Sequence, residues 1–412
     1  MRAISKVDLR YSAARFVNMA VRPAIISAAA YFFGRASAEQ VSIIIFSVAI
    51  AMLLMCIDPH RAYYKKHFSQ QNSAHEFTIY LIIIVTWMSL ISAVMFTALV
   101  IHHTPVPISV LAVMMFVGEK VADESLRYCL FKKDLTKWSN LVITRAGVQL
   151  SGLAFSILLH SFPLLLISFT LSWAFPFYRP LKYLLSIIRK NDAVFFGLKF
   201  YRKAGSKITA SAFLMASSLM SSSPSYFDKI VTLVADKASL PLFLIASMCF
   251  SLVQVFVDFF FVSRIRLELL QNSISLGHML FSRKLFYCVV VGLGASAAVM
   301  AIEILFLKNV YSFDLAILIL VAAINIILAM TTIPQQIVYW RDGPPGIFLA
   351  ELGFFLPVTI LYLSLIHMRW TLTSALAVLT LGLAVRFVSY VLVSQHSAIV
   401  GSLLTAMGRR DR

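Results

Sequence analysis

Charged residues are scarce in this sequence. They make up only 13% of the 412 residues, whereas about a quarter is ordinary in soluble domains. Apolar residues make up 60%, and the mean hydropathy is +0.86. A soluble core does not need this much apolar sequence, but a bilayer does, because each transmembrane helix takes about 20 apolar residues. The composition therefore predicts an all-α, polytopic membrane protein.

The sequence also lacks the short motifs of common enzymes and metal sites. It contains no Walker-type phosphate loop, no HExxH, no GxSxG and no CxxC pair. The four cysteines lie in or beside apolar runs and have neither zinc spacing nor a secreted-disulfide pattern: Cys56, Cys129, Cys249 and Cys288. We therefore expect neither an enzyme nor a bound metal or cofactor.

Acidic residues are half as frequent as basic ones. Asp and Glu number 18 against 36 Lys and Arg, which gives a net charge of +18. The basic residues cluster in short connections between apolar runs, where membrane topology is encoded. This placement predicts contact with membrane lipids and not with nucleic acid.

The apolar runs predict about twelve transmembrane helices. We expect the first run to be retained as a span, because Arg15 and Arg22 interrupt it and it lacks the compact core of a cleavable signal peptide. The spans of the first half are predicted near 12–33, 38–57, 77–101, 106–130, 139–159 and 162–178. Those of the second half are predicted near 205–223, 239–263, 286–307, 312–334, 346–367 and 371–394.

The distribution of Lys and Arg predicts the orientation of these spans. With the N-terminus inside, 26 of the 36 basic residues fall in cytoplasmic segments, five in outer connections and five within spans. Cytoplasmic loops carry an excess of Lys and Arg, so both termini are predicted to be cytoplasmic. The outer connections are too short for a folded external domain.

The longest predicted connection, 179–207, divides the chain into two halves of six spans. It mixes apolar residues with eight Lys and Arg, which is typical of an amphipathic helix on an anionic leaflet, although a simple basic linker has a similar composition. The predicted organisation is a first bundle at 1–178, an amphipathic linker at 179–204, a second bundle at 205–396 and a tail at 397–412.

The two halves show one weak internal correspondence. The second span ends with Asp58 followed by Arg61, and the eighth ends with Asp258 followed by Arg264. Parallel repeats of this kind build many transporters. Each aspartate has two interpretations, as part of a gate or simply as the end of its helix.

The eighth span also carries a polar stripe. Its members follow one another at spacings of four, three and four residues, which places them on one helix face: Ser247, Ser251, Gln254 and Asp258. The stripe either lines an aqueous path or packs against another helix through hydrogen bonds.

Two arginines interrupt the first span. Arg15 and Arg22 lie seven residues apart, nearly two turns, so they share a face with Asn18 between them. Arg22 lies about 15 Å into the helix, too deep to reach the interface easily. A guanidinium at this depth suits a phosphate or pyrophosphate, and the alternative is a buried ion pair.

The fourth span contains the densest set of charges. Lys120–Glu124 and Asp123–Arg127 are opposite charges at four-residue spacing and are expected to neutralise each other. Glu119 and Asp123 are like charges at the same spacing, an arrangement that allows one carboxyl group to hold a proton. The alternative is that this span leaves the bilayer before these residues.

Three further charges lie within predicted spans. Glu351 in the eleventh span and Arg386 in the twelfth both fall in the cytoplasmic third, and an ion pair between neighbouring helices is the favoured interpretation. Arg145 lies a few residues inside the fifth span and faces either a central cavity or the cytoplasm.

Two stretches carry a resemblance to a known group. They are RFVNMAVRPAIISAAAYFFGRASAEQVSIIIFSVAIAMLLM at 15–55 and SYFDKIVTLVADKASLPLFLIASMCFSLVQVFVDFF at 225–260, in which Asp228 and Lys229 precede a span. Together with two six-span halves and an amphipathic link, they resemble the polysaccharide-precursor flippases of the multidrug/oligosaccharidyl-lipid/polysaccharide exporter superfamily.

The resemblance implies transport by alternating access of two rocking bundles in a bacterial inner membrane. The substrate would be an oligosaccharide linked to undecaprenyl pyrophosphate, moved from the cytoplasmic to the periplasmic leaflet and driven by H⁺ or Na⁺. A polysaccharide polymerase and assembly proteins would be partners. The resemblance places the substrate-binding role on Arg22, Arg15, Arg145 and Arg386. It places ion coupling on Glu119, Asp123 and Glu351.

Two alternative functions stay open from the sequence. One is a cation-coupled multidrug exporter of the same superfamily, for which acidic cavity residues matter more than basic ones. The other is a non-catalytic membrane component of a polysaccharide assembly complex.

Overall fold

The computed structural model describes residues 6–55, 74–131, 134–189, 217, 219–262, 280, 282–341, 343–364 and 371–395. All regular secondary structure in these ranges is helical. Most of the predicted seventh span, most of the predicted linker, the tail at 397–412 and Asp58 lie outside them.

The chain divides into two compact units, Met1–Met215 and Ala216–Arg412. The helices of the first unit are α1 (Lys6–Phe33), α2 (Arg35–Leu54), α3 (Ala74–Ile101), α4 (Val106–Phe131), α5 (Leu135–Leu158), α6 (Phe162–Leu171) and α7 (Ala174–Arg189). Those of the second are α8 (Pro224–Ala235), α9 (Leu240–Phe250), α10 (Leu252–Phe256), α11 (Arg283–Leu307), α12 (Leu315–Arg341), α13 (Gly343–Ser364) and α14 (Leu372–Gln395).

Seven of the described helices are long and apolar enough to cross a bilayer: α1, α2, α3, α5, α11, α12 and α14. Each offers 20 to 25 suitable residues, close to the number that the hydrocarbon core requires. The apolar helical stretches at Leu240–Phe256 and Pro345–Ile360 are shorter. By length and composition the chain is a polytopic helical membrane protein, as its composition predicts. The number of twelve spans, their bundles and their orientation stay predictions.

Burial gives a second reason for this assignment. Leu158, Phe175 and Leu315 expose 70% or more of their surface, whereas Lys120 and Glu351 expose 1% or less. Large exposed apolar surfaces are unfavourable in water and favourable against lipid tails. Charges at membrane depth are costly unless they face partners inside the protein.

Local chemistry sets several helix ends. Gly34 adopts φ +89°, a conformation that glycine tolerates best, and it separates α1 from α2. The carboxylate of Asp134 accepts a hydrogen bond from the backbone N–H of Lys137 at 2.9 Å and caps α5. The hydroxyl of Ser161 accepts one from the N–H of Leu164 and caps α6.

Two predicted spans are interrupted. The span predicted at 162–178 is divided between α6 and α7, and the one at 239–263 between α9, α10 and a π-helical turn at Val257–Val262. A serine lies at each interruption: Ser172 donates to the carbonyl of Phe169, and Ser251 to that of Met248. Such local bonds compete with the helical ladder.

The segment at 224–238, predicted as an outer connection, is largely helical. Pro224 begins α8 in the first-turn position that proline favours. Asp228 on this helix is 2% exposed and lies 3.1 Å from the Nζ atom of Lys229. The hydroxyl of Ser247 on α9 donates to the same carboxylate at 3.2 Å. The segment is therefore packed into the second unit.

Candidate functional site

A carboxylate held by two arginines lies in the first unit. The Nη2 atom of Arg22 on α1 is 2.6 Å from Oε1 of Glu119 on α4. Arg145 on α5 donates to both oxygens of the same carboxylate, at 2.5 and 3.0 Å. One ionic cluster, the Glu119 cluster, thus joins α1 to the consecutive helices α4 and α5.

The members of the Glu119 cluster differ in accessibility. Arg145 is 6% exposed and Glu119 8%, whereas the side chain of Arg22 retains 30% of its exposure. Arg22 is therefore the cation through which this cluster can meet a ligand.

Arg145 has unused hydrogen-bonding capacity. Its Nη1 and Nη2 atoms bind Glu119, but its buried Nε atom has no hydrogen-bond acceptor among the described residues. A buried donor without an acceptor costs free energy. The Nε–H group of Arg145 is therefore a donor that the Glu119 cluster leaves unsatisfied.

Helix α4 carries a second ionic ladder directly after Glu119. Lys120 lies 2.7 Å from Glu124, and Arg127 lies 2.9 Å from Asp123. Both pairs were predicted from their spacing, and the structure confirms them. The phenol of Tyr80 on α3 also donates to Glu124 at 2.9 Å.

The charges of α4 and its two arginine partners do not cancel. Four basic side chains accompany three carboxylates, which leaves one net positive charge: Arg22, Arg145, Lys120 and Arg127 against Glu119, Asp123 and Glu124. Glu119 and Asp123 each have an arginine partner. The ion-coupling role predicted for these two carboxylates stays a prediction.

Arg15 lies two turns before Arg22 on α1 and is half-buried. Its guanidinium lies 5.9 Å from the ring centroid of Tyr11, a distance at which a cation and an aromatic face attract each other. The substrate-binding role predicted for Arg15 stays a prediction.

The second unit contains a different glutamate–arginine cluster. Arg386 on α14 donates to Glu351 on α13 at 2.6 to 3.2 Å, which confirms the predicted ion pair. The phenol of Tyr390 donates to the same carboxylate at 2.6 Å, and Arg386 also donates to the carbonyl of Ser221. Glu351 is 0% exposed and Arg386 2%, so this neutral pair presents almost no surface to a ligand in this conformation.

The polar stripe of the eighth predicted span forms contacts within the second unit. Gln254 donates to the side-chain oxygen of Asn325 on α12 at 3.1 Å, and Ser247 donates to Asp228 on α8. These contacts favour the interpretation of the stripe as helix packing. Asp258 lies in the π-helical turn and is half-buried.

Several partners in these clusters were not predicted from the sequence. Tyr390 lies four residues after Arg386, so a search for polar side chains on the same helix face would have found it. Tyr80 and Asn325 lie in apolar runs far from their partners along the chain. No local pattern in the sequence indicates either of them.

Comparison with known proteins adds no relative. No family model, no curated protein and no solved structure matches this chain. The function is therefore inferred from the residues of this chain.

Proposed function

We propose that this protein is a transporter of the bacterial inner membrane that flips a lipid-linked oligosaccharide from the cytoplasmic to the periplasmic leaflet. It would work by ion-coupled alternating access, with about twelve spans in two six-helix bundles and both termini in the cytoplasm. The substrate class is an oligosaccharide on undecaprenyl pyrophosphate, destined for surface or exopolysaccharide.

The observation that carries this proposal is the partial exposure of Arg22 within a cluster that has one excess positive charge. One arginine is enough to neutralise a buried carboxylate, whereas Glu119 has two, Arg22 and Arg145. A diphosphate offers several oxygens to such a pair, and guanidinium groups bind phosphate in a planar, bidentate manner.

Cation-coupled drug export is less well supported by the same residues. Such a transporter needs acidic side chains that are accessible to a cationic drug. The carboxylates of α4 and α13, however, all have basic partners: Glu119, Asp123, Glu124 and Glu351. A drug-susceptibility assay on cells with and without the gene distinguishes the two functions.

The test compares Arg22→Ala and Arg22→Lys in the native host, with Arg35→Ala as the control because Arg35 is an exposed arginine at the start of α2. We expect Arg22→Ala to cause accumulation of undecaprenyl-linked repeat units on the cytoplasmic side. Arg22→Lys should retain partial export, because it keeps the charge and loses the bidentate geometry. Normal export by Arg22→Ala at normal protein levels would overturn the proposal.

A further inference from the structure

A cavity of about 1180 Å³ lies within the first unit. It is a half-open cavity lined by the end of α4, the first half of α5 and the beginning of α7. Lys137, Asn140 and Thr144 line it from one face of α5, at spacings of three, four and seven residues. Its volume is above the usual range of small-molecule sites, which allows a ligand with a bulky headgroup.

Two cations from different helices face this cavity. Lys137 on α5 and Arg179 on α7 are both exposed, and neither has a salt-bridge partner among the described residues. The carboxylate of Asp134 also lines the cavity, but it accepts a hydrogen bond from the backbone at the start of α5. The charge of the lining is therefore positive.

A third cation lies at the edge of the same cavity. Arg10 on α1 is exposed and donates to the side-chain oxygen of Asn140, which is itself part of the lining. Three helices thus bring basic groups to one opening.

Aromatic side chains surround these cations. Phe175 and Tyr178 on α7 line the cavity and are 76% and 61% exposed, and Tyr128 lines it from α4. Exposed aromatic rings combined with Lys and Arg are typical of the depth at which lipid headgroups meet the hydrocarbon region. Helix α7 is strongly amphipathic, as a helix at this depth is expected to be.

We propose that this cavity is a binding site for the phosphate headgroup of an anionic membrane lipid. Lys137 and Arg179 hold the phosphate, and Phe175 and Tyr178 lie beside the first part of the acyl chains. A soluble phosphate would gain nothing from these exposed aromatic rings, and the charge of the lining is complementary to an anionic lipid. The site is separate from the Glu119 cluster and does not depend on transport.

The position of the cavity along α5 supports this separation. Lys137 precedes Arg145 by eight residues, which is about 12 Å along a helix. Arg145 is buried in the Glu119 cluster, whereas Thr144 next to it is exposed and lines the cavity. The two sites therefore use different faces of α5.

The test uses the full-length protein in phosphatidylcholine nanodiscs to which phosphatidylglycerol is added, with bound lipid counted by native mass spectrometry. The variant is Lys137→Gln/Arg179→Gln. The matched control is Arg283→Gln/Lys284→Gln, which removes two exposed cations at the start of α11, also predicted to be cytoplasmic.

We expect the wild-type protein to retain phosphatidylglycerol in preference to phosphatidylcholine. Lys137→Gln/Arg179→Gln should weaken this retention about 25-fold, because each cation near a lipid surface contributes about a fivefold change. The control pair should retain it at nearly the wild-type level, and Phe175→Ala/Tyr178→Ala should weaken it without any change in charge.

Two outcomes would overturn the proposal. Equal weakening by the control pair would show diffuse attraction between the membrane and a basic protein. Displacement of phosphatidylglycerol by millimolar inorganic phosphate would show a site for a free anion. Export of the lipid-linked oligosaccharide is not measured in this experiment, so its result is separate from that of the Arg22 variants.

Discussion

The Nη2 atom of Arg22 lies 2.6 Å from the Oε1 atom of Glu119, which joins the first described helix of the chain to the fourth. Arg145 binds the same oxygen from α5. Of the three side chains, Glu119 and Arg145 are buried, and only Arg22 retains substantial exposure. Glu119 therefore connects a buried cation, Arg145, to the partly exposed cation on which the proposed function depends.

Glu119→Gln should destabilise the first unit strongly. The change leaves Arg145 buried without a counter-charge, and breaking a buried pair from one side costs about 3–5 kcal/mol. We expect a correspondingly lower free energy of unfolding in detergent micelles titrated with SDS. The double variant Glu119→Gln/Arg145→Gln should be no less stable than Glu119→Gln, and strictly additive losses would contradict the interaction.

Tyr390→Phe should weaken the cluster of the second unit to a smaller degree. It removes the hydrogen bond to Glu351 and leaves the donors of Arg386 in place. A hydrogen bond to a charged group contributes about 1.5–3 kcal/mol, and we expect a loss near the lower figure. Tyr287→Phe is the control, because Tyr287 is 64% exposed, and equal losses in the two variants would contradict the prediction.

Gly353→Ala and Gly147→Ala should have opposite effects on stability. A Cβ atom at position 353 would lie 1.8 Å from the hydroxyl oxygen of Ser389 and 2.6 Å from its Cβ atom, whereas one at position 147 would meet nothing within 4 Å. Overpacking costs about 1–3 kcal/mol, whereas alanine in an open helical position gains about 0.5–1 kcal/mol over glycine.

Thermal unfolding of the purified variants measures both glycine effects. Ser389→Gly combined with Gly353→Ala should restore part of the lost stability, because it removes the atoms that the new methyl group meets. A stable Gly353→Ala variant would show that α13 and α14 do not pack as closely as described.

The orientation of the protein in the membrane can be tested by cysteine labelling. In a background without native cysteines, His102→Cys should react with a membrane-impermeant maleimide in intact cells, because the turn after α3 is predicted to be external. Thr136→Cys, at the start of α5, should react only after permeabilisation. Both positions are exposed, so a reversed pattern would mean that the chain is inserted the other way.

Patterns in the sequence predicted two kinds of contact: those between residues of one helix, and the one between residues at similar membrane depth in consecutive spans. The Lys120–Glu124 and Asp123–Arg127 pairs are confirmed because a four-residue spacing places two side chains on the same face of a helix, whatever surrounds it. Contacts that depend on which helix faces meet were not predictable in this way. Glu119 illustrates the difference, since its partners lie 97 and 26 residues away along the chain.

The interruptions of two predicted spans have a similar explanation. An average over about twenty residues detects the apolar character of 162–178 and 239–263, but it does not detect a serine that bonds to its own helix. Ser172 and Ser251 lie at the two interruptions, and each donates to the carbonyl three residues earlier. Hydropathy therefore predicts that a segment is apolar and not that it forms one continuous helix.

The sequence by itself determined that this is a helical membrane protein, because length, apolar content and the clustering of charge between apolar runs are properties of the chain alone. Only the tertiary structure decided the partners of Glu119, because an ion pair between helices requires two faces to meet at the same depth. The pair of Glu351 and Arg386 was predicted, since these residues lie at similar depth in consecutive spans, and the structure confirms it. The two ion pairs of Glu119, with Arg22 and with Arg145, depend on the packing of three helices, so only the folded chain shows them.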